Sequence, residues 1–405
     1  MPTRRTFIKQ TLGGSAVLAA NRSLTPGSVL GANDRVRIGL IGAGDRGQEI
    51  FKSALQCPNV EGAAVADVYT RRLDEVRQFV PTIQTYRDFR RLLEDKTIDA
   101  VLIATPQHQH ALNFVPAIQA GKDVYQEKTM AFNPDHALRM KKALEGAKQV
   151  VQIGIQSTTG PQVEAVLQYL NPTQMGDISA IHTHHYRNEP YGGWKRPIPP
   201  DCDLQHVDWQ EFQGEAAPQP WDPNRYVNWR FFWDYDGGNV FENMVHQVGF
   251  WYKVLHLQIP QAVTMTGANY LCSDMQPPDT MDISMLQPER ILFTWNSMFG
   301  NRYYGEGDDL LLGNKGTIHR DANECVSYLP EGNKQAEAIH PTPPTSDSRL
   351  TDLHMQNFFD CIRSRREPNC PFEIGFRSAI VCQMAVVSYR EGRTVHWDPE
   401  RSAIV

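Results

Sequence analysis

The sequence predicts an α/β protein in two parts: an N-terminal domain on a doubly wound parallel sheet, then a C-terminal α/β domain with an open, mainly antiparallel sheet. Three observations carry this reading. A glycine-punctuated strand, turn and helix opens the first part at Arg35, apolar runs of strand length alternate with amphipathic segments to about residue 154, and short alternating runs fill Ala262 to Val326. With 405 residues the chain exceeds one small core, so domains at 34–154 and 155–405 are expected behind a leader at 1–33.

The leader reads TRRTFIK and then TLGGSAVLAA, a paired Arg ahead of a short apolar stretch, and it resembles a twin-arginine export signal. That resemblance implies the twin-arginine translocation machinery as a partner and a periplasmic or exported location. A net charge of -6 gives no footprint for nucleic acid, and no apolar run approaches the length of a membrane span. The seven Cys contain no C-x-x-C pair, so neither a zinc knuckle nor a disulfide framework is indicated; Cys361, Cys370 and Cys382 are close enough in sequence for one bridge.

Val36, Ile38, Leu40 and Ile41 form the first strand, and Gly42, Gly44 and Gly47 satisfy G-x-G-x-x-G. Gly42 allows the turn, Gly44 lets backbone approach a pyrophosphate, and Gly47 lets helix and strand pack closely. A second apolar run from Val60 to Val68 carries Asp67, twenty positions after Gly47, where an acidic side chain can hold an adenosine ribose. This is a Rossmann fingerprint in its proper context. Asp67 would repel a 2′-phosphate and so favours NAD; Arg71 and Arg72 stand near enough to accept one, which leaves NADP as the alternative. Asp45 and Arg46, inside the loop, and Arg71 join the glycines as candidate cofactor contacts.

A charged helix at Thr70–Phe79, a helix and turn in YRDFRRLLEDKTID and the apolar strand of AVLIATP follow. Thr105 to His110, beyond that strand's carboxyl end, should line the cofactor crevice. Thr105, Pro106 and His110 are therefore candidate contacts, although His108 and His110 also suit a helix cap. The strand DVYQEK leads to Glu127 and Lys128, a helix spans Asp135 to Lys148, and VVQIGIQ closes the domain, with Gln156 just beyond. Glu127, Lys128 and Gln156 complete the cofactor candidates.

In the second part a helix is expected from Pro161 to Leu170, then a strand at Asp177–Tyr186 with His182 and His184 on one face and His185 on the other. No third ligand stands at a recognisable spacing, so no metal site is expected. Tyr186 to Tyr235 holds five of the eight Trp, including Trp229, and suits either a carbohydrate platform or a loop packed by its own aromatics. His184, Tyr186, Trp229 and Arg230 are the candidate substrate contacts. Helical spacing runs from Val240 to Leu255, which sets Glu242 and His246 four apart on one face. There the carboxylate could fix the imidazole's tautomer, the arrangement a general base needs. Tyr303, Tyr304 and Asp308 are expected at the pocket edge; two closing helices are expected at Thr351–Arg363 and Phe376–Tyr389, with His354 and Asn357 on one face and at least as well suited to the surface as to a site.

The glycine loop, Asp67, the string Ala104-Thr105-Pro106, and Glu127-Lys128 together resemble the Gfo/Idh/MocA dehydrogenases. In that family Pro follows the Lys; here Thr129 does. Gly237 and Gly238 ahead of Glu242 and His246 resemble the family's double glycine, Asp and His, with Glu242 in place of Asp and Met244 where Gly is common. The resemblance implies that Lys128 polarises a substrate hydroxyl, that His246 accepts its proton, and that hydride passes to NAD from a sugar, polyol or glycoside. It also implies an alternative, redox-neutral glycosidase or lyase chemistry through a transient keto-sugar, while the departures Thr129, Glu242 and Met244 motivate another, a nucleotide-binding protein without catalysis. A homo-oligomer is a further expectation from the family.

Overall fold

The computed structural model describes residues 35–321, 325–335, 337–340 and 347–405; the twin-arginine stretch lies outside them. The first sheet comprises β1 (Val36–Ile41), β2 (Val60–Ala66), β3 (Gln84–Tyr86), β4 (Ala100–Ile103), β5 (Asp123–Glu127) and β6 (Val151–Gly154). Its order is β3-β2-β1-β4-β5-β6, with every pairing parallel. All residues of β4 and β5 are buried, as expected of strands covered on both faces. The strand order reverses between β1 and β4, and there the carboxyl ends open a crevice.

The covering helices are α1 (Asp45–Gln56), α2 (Thr70–Phe79), α3 (Phe89–Glu94), α4 (His110–Gln119) and α5 (Pro134–Ala143). Helix α5 starts where Asn133 caps the His136 amide and Pro134 occupies the first turn. It stops short of the expected Lys148 because Leu144 closes a tighter turn onto Lys141 and Gly146 takes a positive φ. Helix α6 (Gln162–Leu167) leads into the second sheet.

That sheet has ten strands: β7 (Ile178–Tyr186), β8 (Ala262–Ala268), β9 (Thr280–Leu286), β10 (Leu292–Met298), β11 (Glu306–Gly313), β12 (Gly316–Arg320), β13 (Val326–Pro330), β14 (Glu337–His340), β15 (Val395–Asp398) and β16 (Ala403–Ile404). The order is β14-β13-β12-β11-β7-β10-β9-β8-β15-β16, and among the described residues only the β7/β10 pair of this sheet is parallel. One face is buried under α7 (Val245–Leu255) and α9 (Phe372–Glu391), with Phe250, Trp251, Phe293, Trp295 and Met384 among the fully buried side chains. Helix α9 runs longer than its expected span, from Pro371 at the N-cap to a left-handed Gly392.

Helix α8 (Asp347–Ser364) crosses back to the first domain. Met355, Phe358, Phe359 and Cys361 pack with Ile38, Leu40, Ile50 and Phe51 in one buried cluster. His354 is a correction to the surface reading: it is fully buried, accepts from Thr159 Oγ1 at 2.5 Å, and its Nε2 donates to the Ile153 carbonyl at 2.9 Å. Asn357 is also structural, accepting from the Asn369 amide at 2.8 Å. Cys361, Cys370 and Cys382 are buried free thiols, so the conceivable bridge among them is not formed. Among the described residues no helix is long and apolar enough to cross a membrane, and no group of His, Cys, Asp and Glu is arranged to hold a metal.

Candidate active site

Two adjoining cavities lie at the carboxyl ends of the first sheet. The first, about 590 Å³, is lined by Gly42, Gly44, Asp45, Arg46, Asp67, Arg71, Thr105 and Pro106, with Trp229 and Arg230 on its far wall. Gly42 has φ +87°, and a Cβ there would meet the Thr105 amide at 2.7 Å. A Cβ on Gly47 would strike the Gly42 carbonyl, whereas one on Gly44 would enter open cleft, the space a pyrophosphate requires. Helix α1 begins at Gly44 without a side-chain cap, so its first amides face the same space.

Asp67 accepts from the Ala43 amide at 2.6 Å and the Tyr69 amide at 2.8 Å, one on each oxygen. Burial raises its pKa while those amides oppose the rise. Each oxygen keeps a second lone pair for a ribose hydroxyl. Arg71 pairs with Asp201 at 2.6 Å and Glu75 at 3.3 Å, and Arg72 with Glu75 at 2.9 Å and Asp45 at 3.1 Å. These residues fit NAD.

The second cavity, about 530 Å³, is lined by Lys128, Gln156, His185, Arg187, Glu242 and His246; Arg46, Glu49 and Trp194 line both cavities. Lys128 Nζ donates to Glu242 Oε2 and to the Glu242 carbonyl, each at 2.9 Å. Gln107 donates to Glu242 Oε1 at 2.6 Å, and Arg230 forms an ion pair with it at 3.3 Å. Burial opposes the charge on Glu242, but Arg230 and Lys128 outweigh it and hold the group ionised. Asp236, fully buried, is pushed well up by burial and by Glu242; its Oδ1 accepts from the Gly237 amide at 2.8 Å.

The expected Glu242–His246 relation is not formed. Val240–Met244 is a π-helical turn, which breaks the 3.6-residue spacing, and the carboxylate turns to Lys128. His246 makes no hydrogen bond through its ring to any described residue. Burial, and then the charges of Lys128 and Arg46, lower its pKa well below the ordinary imidazole value, so the ring is neutral. The Lys128–Thr129 peptide is cis, and Thr129 Oγ1 donates to the Phe241 carbonyl at 2.7 Å.

Several candidates fall elsewhere. His110 is a strut between the Thr129 and Thr105 carbonyls, both at 2.7 Å, and does not line the cofactor cavity. Burial pulls it down to about 4, so the neutral ring donates to one carbonyl at a time. Glu127 is buried and acts through Arg46, at 2.9 Å. His184 and Tyr186 lie on the outer sheet face, where His184 bonds Asn296 at 2.7 Å and stacks on Tyr304 at 4.0 Å. The opposite parity of β7 turns His185 to the cavity, a placement implied by its sharing a face with buried Ile181. Tyr303 is 84% exposed and Asp308 pairs with His319, leaving Glu306 and Gly307 at the pocket edge.

The aromatic insertion divides. Trp209, Phe212, Trp221, Tyr226 and Tyr235 pack on one another, while Trp194 and Trp229 face the cavities. Gln107 and Arg187 were missed; Gln107 follows Pro106 directly, so its place beyond a strand end was the available signal.

Strand order, glycine loop and adjoining cavities define a two-domain dinucleotide-dependent protein. Residues 36–155 match the Gfo/Idh/MocA model, described as an oxidoreductase family with an NAD-binding Rossmann fold. A glycosyl hydrolase family 109 protein of Stenotrophomonas maltophilia is 36% identical over 129 residues, 29% of this chain and 28% of that one. An inositol 2-dehydrogenase/D-chiro-inositol 3-dehydrogenase of Shouchella clausii is 29% identical over 164 residues, 38% of this chain and 47% of that one. The chain thus spans less than half of either relative. Levoglucosan dehydrogenase in complex with NADH and levoglucosan shares the fold, with TM-score 0.71, 15% identity, and coverage of 89% of this chain and 99% of that one.

Proposed function

We propose that the protein is an NAD-dependent oxidoreductase acting on a secondary hydroxyl of a sugar, polyol or glycoside. The observation that carries this is the convergence of Lys128, held by Glu242, and an unprotonated His246 on the cavity beside the glycine loop. Bound NAD supplies the hydride acceptor. Lys128 spends two of its three N–H donors on Glu242 and keeps the third for the substrate oxygen. His246 takes the hydroxyl proton as the carbon–hydrogen bond breaks and the carbonyl forms. The inositol and levoglucosan dehydrogenases among the similar proteins support the substrate class.

A second reading is redox-neutral: a transient keto-sugar acidifies the neighbouring C–H, a glycosidic substituent leaves, and the carbonyl is reduced again. The glycosyl hydrolase family 109 relative and the insertion folded against the cofactor cleft favour it. Arg4 and Arg5 support export to the periplasm by the twin-arginine route, and normal export of an Arg4→Lys, Arg5→Lys variant would overturn this. The exposed Leu286, Leu292 and Tyr304 on the outer sheet face support a homo-oligomer, which sedimentation tests.

The deciding experiment releases nucleotide by denaturing the purified protein, identifies it by mass, and follows reduced-nicotinamide absorbance against a panel of polyols, sugars and glycosides. Stoichiometric reduction of added NAD supports the dehydrogenase. Transient reduction with accumulating glycosidic product supports the second reading, and no reduction with any of them overturns both.

A further inference from the structure

The chain between Arg196 and Asp208 is zipped onto the ribose end of the cofactor cleft. The Thr70 amide donates to the His206 carbonyl at 3.1 Å, the Asp208 amide donates to the Val68 carbonyl at 2.9 Å, and Tyr69 and Val207 form an antiparallel bridge. These contacts fall immediately after Asp67, the carboxylate placed for the ribose. They carry Asp201 across the cleft edge, where its Oδ1 accepts from Tyr69 Oη at 2.8 Å and from Arg71 at 2.6 Å.

The geometry points to Asp201 as a specificity residue that keeps the site for NAD, acting through Arg71. In this fold the ribose 2′ position lies by the acidic residue ending the second strand, and an arginine nearby is what accommodates a 2′-phosphate. Two arginines stand there, and both are engaged: Arg72 by Glu75 and Asp45, Arg71 by Glu75 and Asp201. Asp45 and Glu75 belong to the first domain, but Asp201 comes from the insertion of the second. The second domain thereby occupies the cation that would otherwise turn to a phosphate. Arg87, exposed on the same cavity wall, is a further cation there, and the test must separate it from Arg71.

The full-length protein is equilibrated with equal NAD and NADP, washed, and its retained nucleotides are quantified by chromatography. Wild type is expected to retain NAD. Asp201→Asn should raise the NADP:NAD ratio about tenfold at low ionic strength and less in high salt, because one charge is removed beside a dianion. Asp201→Glu should restore the wild-type ratio, which a merely structural role would not require. Arg71→Ala added to Asp201→Asn should abolish the gain, while Arg87→Ala should leave it. Equal retention of both nucleotides by wild type, an unchanged ratio in Asp201→Asn, loss of both nucleotides alike, or a gain that depends on Arg87 would each overturn the assignment. The ratio is read without turnover, so it stands or falls separately from the proposed reaction.

Discussion

Glu242 is the most connected residue of the site, and its substitution separates electrostatics from shape. Glu242→Gln keeps the size of the side chain but removes the carboxylate charge that pairs with Lys128 and Arg230. We expect kcat to fall about a hundredfold on the substrate that reduces NAD, with KM changed far less, measured by steady-state kinetics. His246 predicts a pH profile: because its pKa is lowered, the acid limb of kcat/KM should sit below the ordinary imidazole value near 6.5 and vanish in His246→Gln. An acid limb at or above 6.5 would contradict this. Lys128 and His246 were legible because each ends or opens a motif of fixed spacing. Glu242's partner was not, since a π-helical turn and a lysine 114 positions away decide it.

At the scale of elements, strands were read well where every residue is apolar, as in β4, because burial on both faces leaves no room for polar side chains. Helix ends drifted by several residues where a left-handed glycine or a tighter last turn sets the stop, as after α5. The docking of α8 was not visible at all. Its amphipathic pattern says that one face is buried but not against what, and its partner α1 is about 300 residues earlier. Phe358→Ala should destabilise the protein by about 3–5 kcal/mol through the lost ring and the cavity left behind, read by denaturant unfolding. A loss under about 1 kcal/mol would mean that α8 is peripheral to the first domain.

For the whole molecule, alternating strands and helices with right-handed crossovers make the first sheet parallel and covered on both faces, while its order is narrowed by the glycine loop after β1, which belongs at the point where the order reverses. The second sheet is different: hairpins predict neighbours, but nothing local says that β7 lies between β10 and β11. Burial also sets a global response to acid. His108, His110 and His354 are pulled down to about 3, 4 and 3 by burial. At these three sites the unfolded chain therefore binds more protons than the native one below about pH 6.5, and their contribution to stability is lost as pH falls, while buried Asp67 and Asp236, raised by burial, act in the opposite sense. Each of the three histidines removes about 1.4 kcal/mol per pH unit between its unfolded and folded values. The thermal midpoint should drop steeply between pH 6.5 and 4.5, and a flat midpoint there would refute the buried-neutral assignment. Helix α8 has one more consequence, for synthesis. It supplies a wall of the first domain and a hydrogen bond from Arg46 to Thr351 at 3.4 Å across 305 residues. A ribosome that has completed β14 therefore holds a first domain whose apolar face still awaits α8, so that domain closes only near the end of synthesis.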